Sequence, residues 1–204
     1  GRFIDVLANA SLEGSAAIPD VTDALLKFGA VAKTSNVSVE ESAALIETLA
    51  SKGLKGAEAG TALRNVMLKL SAPDALPKEA QERMKELGIS FEDISDPSRS
   101  FADRLESMKP LLSDNTALQK VFGKENAVAA INLISLTDET KELTKAMGNQ
   151  GTASKQASQN TDTIAFAFNK LKESWNELIL RFNEGSGIGD MVKNLFLGIA
   201  NNLD

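Results

Sequence analysis

The sequence predicts an all-α protein, a compact multi-helix bundle followed by longer amphipathic helices. Three observations lead there. Alanine and leucine dominate the 204 residues, and both favour helices over sheets. Apolar residues return at three- and four-residue steps over most of the chain, the period of a half-buried helix. Ser, Pro and Gly stand where those periodic runs start and stop. With 43% hydrophobic and 25% charged residues, the composition is that of a globular chain able to build one or two domains with a core.

The elements follow in order. Phe3, Ile4, Leu7 and Ala8 make one or two amphipathic turns, and Asn9 to Ser15 breaks the pattern. Pro19 suits the first turn of a helix that carries Val21, Leu25, Leu26, Phe28 and Val31 and stops at Thr34-Ser35-Asn36. Ser38 with Glu41 reads as a capping box. It opens a helix of Val39, Ala43, Ile46, Leu49 and Ala50 that ends at Gly53, a residue suited to positive φ. Gly56 offers a second such point.

The next helix begins with almost no side-chain bulk. Ala59, Gly60 and Ala62 lie at its start, followed by Leu63, Val66, Met67 and Leu70 on one face. Small residues at this spacing let another helix come close, so Gly53, Gly56, Ala59, Gly60, Ala62 and Leu63 form an expected helix-packing hairpin, the second helix set closely on the first.

Ser71 to Asp74 is a stop, and Pro77 starts a helix with Met84 and Leu87 that ends at Gly88. Ile89 to Ile94 reads as a connector. Ser98 or Ser100 caps the helix of Phe101, Leu105, Met108 and Leu112, and Asp114 or Thr116 caps the segment to Gly123. From about Glu125 one long helix is expected to reach Met147, its seam Ala129, Leu133, Leu136, Thr140, Leu143 and Met147 having one polar position.

Residues 148–152 are an expected break. Beyond a polar stretch, Ile164, Phe168, Leu171, Trp175, Leu178 and Phe182 repeat at steps of four and three, a candidate interaction stripe. Two readings stay open: the stripe folds back on the chain's own core, or it pairs with a copy of itself or another protein, with Trp175 as anchor in either case. A Gly-rich joint at 185–189 closes this helix. The expected organisation is a compact unit over 1–123 and longer heptad-patterned helices over 124–204.

Composition also excludes function classes. The chain has no Cys and no His, which removes thiol chemistry, disulfides, the commonest general base and the commonest zinc ligand. The net charge of −6 speaks against a basic nucleic-acid patch, so no specific nucleic-acid partner is expected. No run approaches ~18 consecutive apolar residues, so no membrane contact is expected of this chain. No signal peptide is visible, and the lack of an initiating Met reads as a fragment of a longer protein.

Local motifs give no catalytic, cofactor or metal site. Glu13-Gly14-Ser15 is a helix-terminus loop, since a peptidoglycan-cleaving Glu is directly followed by Ser and no Tyr exists to line a groove. Gly185-Ser186-Gly187-Ile188-Gly189 follows no strand and reads as a joint. Glu40-Glu41 and Asp138-Glu139 sit where helices start and meet the positive dipole end.

Several segments together resemble the core region of phage tail tape-measure proteins. They are Leu49 to Gly56 followed by Ala59-Gly60-Thr61-Ala62-Leu63-Arg64, then Leu87-Gly88-Ile89, then Phe122-Gly123 with Glu125-Asn126-Ala127, and finally Leu171, Trp175 and Leu178. Asn126 between the Glu and the Ala is a slight departure. The resemblance covers most of the chain. It implies a structural, non-enzymatic tail component, made in the bacterial host cytoplasm and housed in the lumen of the virion tail. Such a protein sets tail-tube length during assembly and leaves the tube at infection. The implied partners are copies of itself, as a trimer or hexamer, with tube, tail-tip or baseplate and tail-assembly chaperone proteins. The alternatives are a cell-wall hydrolase segment of a tail protein and a generic helical scaffold.

Overall fold

The computed structural model describes residues 2–148, and every regular element among them is helical. The helices are α1 (Arg2–Glu13), α2 (Ile18–Thr34), α3 (Val39–Ala50), α4 (Gly56–Ser71) and α5 (Lys78–Glu86). They continue with α6 (Phe91–Ser95), α7 (Phe101–Glu106), α8 (Asn115–Phe122), α9 (Ala127–Ser135) and α10 (Thr137–Met147). Two short 3₁₀ helices, Pro73–Ala75 and Lys109–Ser113, join neighbours where a proline denies the backbone a donor. The expected all-α class is what the described residues show.

Helix α3 runs through the middle. Every residue from Glu40 to Ala50 is buried, because α1, α2, α4, α9 and α10 all pack on it. A helix covered on all sides needs small or apolar residues all round, and Ala43, Ala44, Leu45, Ile46, Leu49 and Ala50 meet that need. Its polar residues Glu41, Glu47 and Thr48 therefore each require a partner inside.

Helix ends follow side-chain chemistry. Ser38 Oγ accepts the Glu41 N–H at 3.1 Å, Ser100 Oγ accepts the Asp103 N–H at 3.1 Å, and Asp114 Oδ1 accepts the Ala117 N–H at 2.9 Å. The box expected at Ser38 is only half formed, since the Glu41 side chain does not return to its own N-cap but reaches α7. Gly53, Gly88 and Gly123 end helices or turns at φ of +89°, +74° and +82°.

Three expectations are corrected. Helix α1 does not break at Asn9, because the buried Asn9 amide donates to Met147 O at 3.1 Å and is satisfied inside. The connector at Ile89–Ile94 holds a short helix, α6, capped by Ser90. The long helix expected over 125–147 is two helices bent at Leu136, whose φ and ψ are −108° and 28°. Thr140 Oγ1 bonds back to Leu136 O at 2.9 Å, a back-bond that bends helices. The bend lays α10 along α3 while α9 packs among α3, α4 and α7.

Residues after 123 fold back on the compact unit. Ala127, Ala129, Ala130, Leu133, Ile134 and Met147 share one core with residues of α1 to α8, so the packed unit continues through α10. The stripe from Ile164 to Phe182 and the joint at 185–189 lie outside the described residues.

Burial sets a contrast on the surface of this core. Leu45 is fully buried and Leu68 is 50% exposed. Leu45→Ala is expected to lose about 2–5 kcal/mol of stability and Leu68→Ala to stay within ~0.5 kcal/mol, read by urea unfolding of the two variants.

Candidate functional site

The six residues of the expected hairpin lie on and before α4. Gly53 is exposed in the turn, with nothing within 4 Å of where a Cβ would stand. Ala59, Gly60, Ala62 and Leu63 are buried, as is Gly56 with φ of +56°. The helix they bring close is α2, two elements back, rather than the preceding α3. A Cβ on Gly60 would stand 2.3 Å from Ala24 O and 2.7 Å from Ala24 Cα. Gly56, one turn earlier, faces Asp20 and Asp23 at the start of α2. Backbone meets backbone at this crossing, and only Gly at position 60 allows it. The α3–α4 turn is set by two positive-φ glycines, so α4 leaves α3 and turns toward α2.

A set of buried charges fixes the other elements. Arg104 on α7 is 1% exposed. Its Nε donates to Ile94 O at 2.7 Å, with longer contacts to Ser35 O and Ser71 Oγ, and its guanidinium lies 5.1 Å from the Phe101 ring centre. Ser35 closes α2, Ser71 ends α4 and Ile94 lies in the last turn of α6. Two carbonyl oxygens and one hydroxyl, at the ends of three helices, thus converge on one cation. Burial lowers the Arg104 pKa from its ordinary value, and the Glu41 charge opposes that.

Glu41 and Glu47 project from opposite parts of α3. Glu41 Oε1 accepts the Ala102 N–H at 2.8 Å, at the N-terminus of α7. Glu47 Oε2 accepts the N–H groups of Ser15 and Ala16 at 2.6 and 2.9 Å, in the loop between α1 and α2. Burial pushes both carboxyls above the ordinary range, and these backbone donors work against it. Thr48 Oγ1 meets Thr140 Oγ1 at 2.8 Å where α3 crosses α10, so the polar position of the expected seam has a buried partner.

Between α7 and α10 lies an open groove of about 970 Å³ lined in part by Glu41, Asp103, Asp138, Lys141, Glu142 and Leu143. Lys141 spans it, paired with Asp103 and Glu106. Hydrogen bonding to Lys141 holds both carboxyls below their ordinary values, and the same pairs raise the Lys141 pKa. These depressed carboxyls contribute stability above the ordinary carboxylate range that is lost as pH falls through their lowered values. Among the described residues no group of three or more Asp or Glu is arranged to hold a metal ion, and no helix is long and apolar enough to cross a membrane.

Sequence reasoning missed Arg104, Glu47 and the second role of Glu41. The signal was present for two of them. Arg104 falls between Phe101 and Leu105 on an inward i, i+3, i+4 face, and Glu47 stands at the same spacing between Ala43 and Ala50. A charge on an apolar face marks a buried group in need of partners.

With this geometry in place, the comparisons decide the family. The model of the phage-related minor tail protein family matches residues 1–131, from α1 into α9. The chain belongs to this family. Among its relatives, the tape measure protein of Pneumococcus phage Dp-1 is 28% identical over 173 residues, 81% of this chain and 15% of that protein. The probable tape measure protein of Escherichia phage P2 is 32% identical over 145 residues, 67% of this chain and 17% of that protein. The minor tail chain therefore spans less than a fifth of the length of either relative. No solved structure matches it.

Two variant pairs test the geometry of this tail-family core. Gly60→Ala is expected to lose about 1–3 kcal/mol, because the added methyl meets backbone that cannot step aside. Gly29→Ala, inside α2 with nothing within 4 Å, is expected to gain about 0.5–1 kcal/mol by denaturant titration. Arg104→Met is expected to lose about 1–3 kcal/mol, because the buried carbonyl of Ile94 loses its donor. Arg99→Met, at an exposed pair with Asp93, should change unfolding by no more than ~1 kcal/mol.

Proposed function

We propose that this chain is a section of a tape-measure protein, a structural component of the phage tail whose length sets the length of the tail tube. The observation that carries the reading is the likeness to a tape measure protein over 81% of the chain. The second relative, over 67%, supports it. An all-helical section suits a ruler. Helices rise ~1.5 Å per residue, so 204 residues drawn into one continuous helix would span about 300 Å.

The finer reading follows from the same likeness. The parent protein lies in the tail lumen, in three or six copies, against tube subunits, with tail-tip or baseplate proteins at one end. Assembly chaperones cover it before the tube closes, and it leaves the tube ahead of the genome at infection. A bundle many helices wide does not suit a narrow lumen shared with its copies. This section therefore sits at the tip end or is drawn out into extended helices on packaging.

The test is tail length by electron microscopy after in-frame deletions in the helical part of the parent gene. Shortening by ~1.5 Å per deleted residue is the expected result. Viable phage with tails of normal length would overturn the ruler reading for the deleted region.

A further inference from the structure

Helix α1 packs on α2, α3 and α10. Helix α2 is pinned to α4 by the backbone contact at Gly60, and α7 is tied to three helix ends by Arg104. Helix α1 packs Val6, Leu7 and Ala10 into the core, and the Asn9 amide donates to Met147 O. In the loop that joins it to α2, Glu47 takes the Ser15 and Ala16 N–H groups and Asp20 takes the Ala17 N–H.

The fastening is built closely. Glu47 is 1% exposed. Its Oε2 takes both the Ser15 and Ala16 N–H groups. A Cβ on Gly14 would stand 1.8 Å from the same oxygen and 2.0 Å from Cδ, so the loop closes over the carboxyl only because residue 14 has no side chain. The other oxygen, Oε1, is buried without a hydrogen-bond partner. An ionised carboxylate in such a place keeps half of its charge unsolvated, whereas a neutral carboxyl loses far less.

We propose that Glu47 is a protonation-controlled clasp on α1, closed when the carboxyl carries its proton and loosened when it does not. Two charged groups face it from the neighbouring elements. Lys55, in the turn between α3 and α4, favours the ionised form, and Asp20, in the first turn of α2, opposes it. Burial is the largest influence and outweighs Lys55 and the two backbone donors, so the folded carboxyl sits above its ordinary value. A raised acid contributes its full stabilisation below the ordinary carboxylate range and loses it as pH rises through the raised value. Opening at the loop frees α1 while α2 stays on α4, so the helix lets go as a unit and the remaining core persists.

Amide hydrogen exchange on the 204-residue chain, corrected for the intrinsic pH dependence of exchange, reads this directly. Protection of α1 is expected to fall severalfold between about pH 5 and about pH 8, while α4 and α9 keep theirs. Glu47→Gln keeps an acceptor for the loop and carries no charge, so its α1 should stay protected at both pH values. Gly14→Ala should expose α1 at both. Lys55→Gln, a surface change that leaves the clasp in place, should move the onset of loosening to higher pH. Protection of α1 that does not change with pH in the parent chain overturns the proposal. So does an unchanged pH dependence in Glu47→Gln, or an unmoved onset in Lys55→Gln.

Discussion

The backbone contact between Gly60 of α4 and Ala24 of α2 is the constraint on which the described fold depends. A position that would place a Cβ 2.3 Å from a carbonyl oxygen admits one residue type. Once α4 lies on α2 at this distance, the elements before and after are directed. Helix α3, which joins them in sequence, is left beneath the crossing with its residues buried from Glu40 to Ala50. The α3–α4 turn then has to reverse the chain within a few residues, which the positive-φ glycines at 53 and 56 allow. Close packing of this kind gains dispersion energy over many atoms and loses it at small separations, so the crossing is rigid.

Burying α3 on all sides creates a polar problem that the rest of the chain solves. Glu41, Glu47 and Thr48 cannot reach bulk water, and each finds a partner on a different element: the N-terminus of α7, the α1–α2 loop and Thr140 of α10. Arg104 solves the reciprocal problem, because carbonyl groups at the C-terminal ends of α2 and α6 come together and need a donor. These groups place short helices whose own apolar area is small. The arrangement explains why α7, of six residues, packs in place beside α9 and α10.

Much of this was legible in the sequence, because helix signals are local. Pro19, the Ser38 and Ser100 caps, Asp114 and the stops at Gly53, Gly88 and Gly123 each act within a turn of their own position. The small-residue face at Ala59, Gly60 and Ala62 showed that a close approach was needed. Which helix made it was not legible, because small residues such as Ala24 in α2 and Ala43 and Ala50 in α3 offer either helix as the partner. The bend at Leu136 was hidden for a similar reason: the heptad seam runs through it unbroken, and the contact of Thr140 with Thr48 of α3 leaves no local signal. The unit also runs past 123, since Gly123 ends a helix without ending the core. The family match stops at residue 131, inside α9, while buried side chains continue to Met147.

For a chain that forms less than a fifth of the length of its tape-measure relatives, the central structural claim is the α2–α4 crossing. The direct measurement is a nuclear Overhauser spectrum of the 204-residue chain with glycine and alanine selectively labelled. Strong cross-peaks between the Gly60 α-protons and the Ala24 α-proton are the expected result. Gly60 cross-peaks that run to residues of α3 and not to Ala24 would contradict the account.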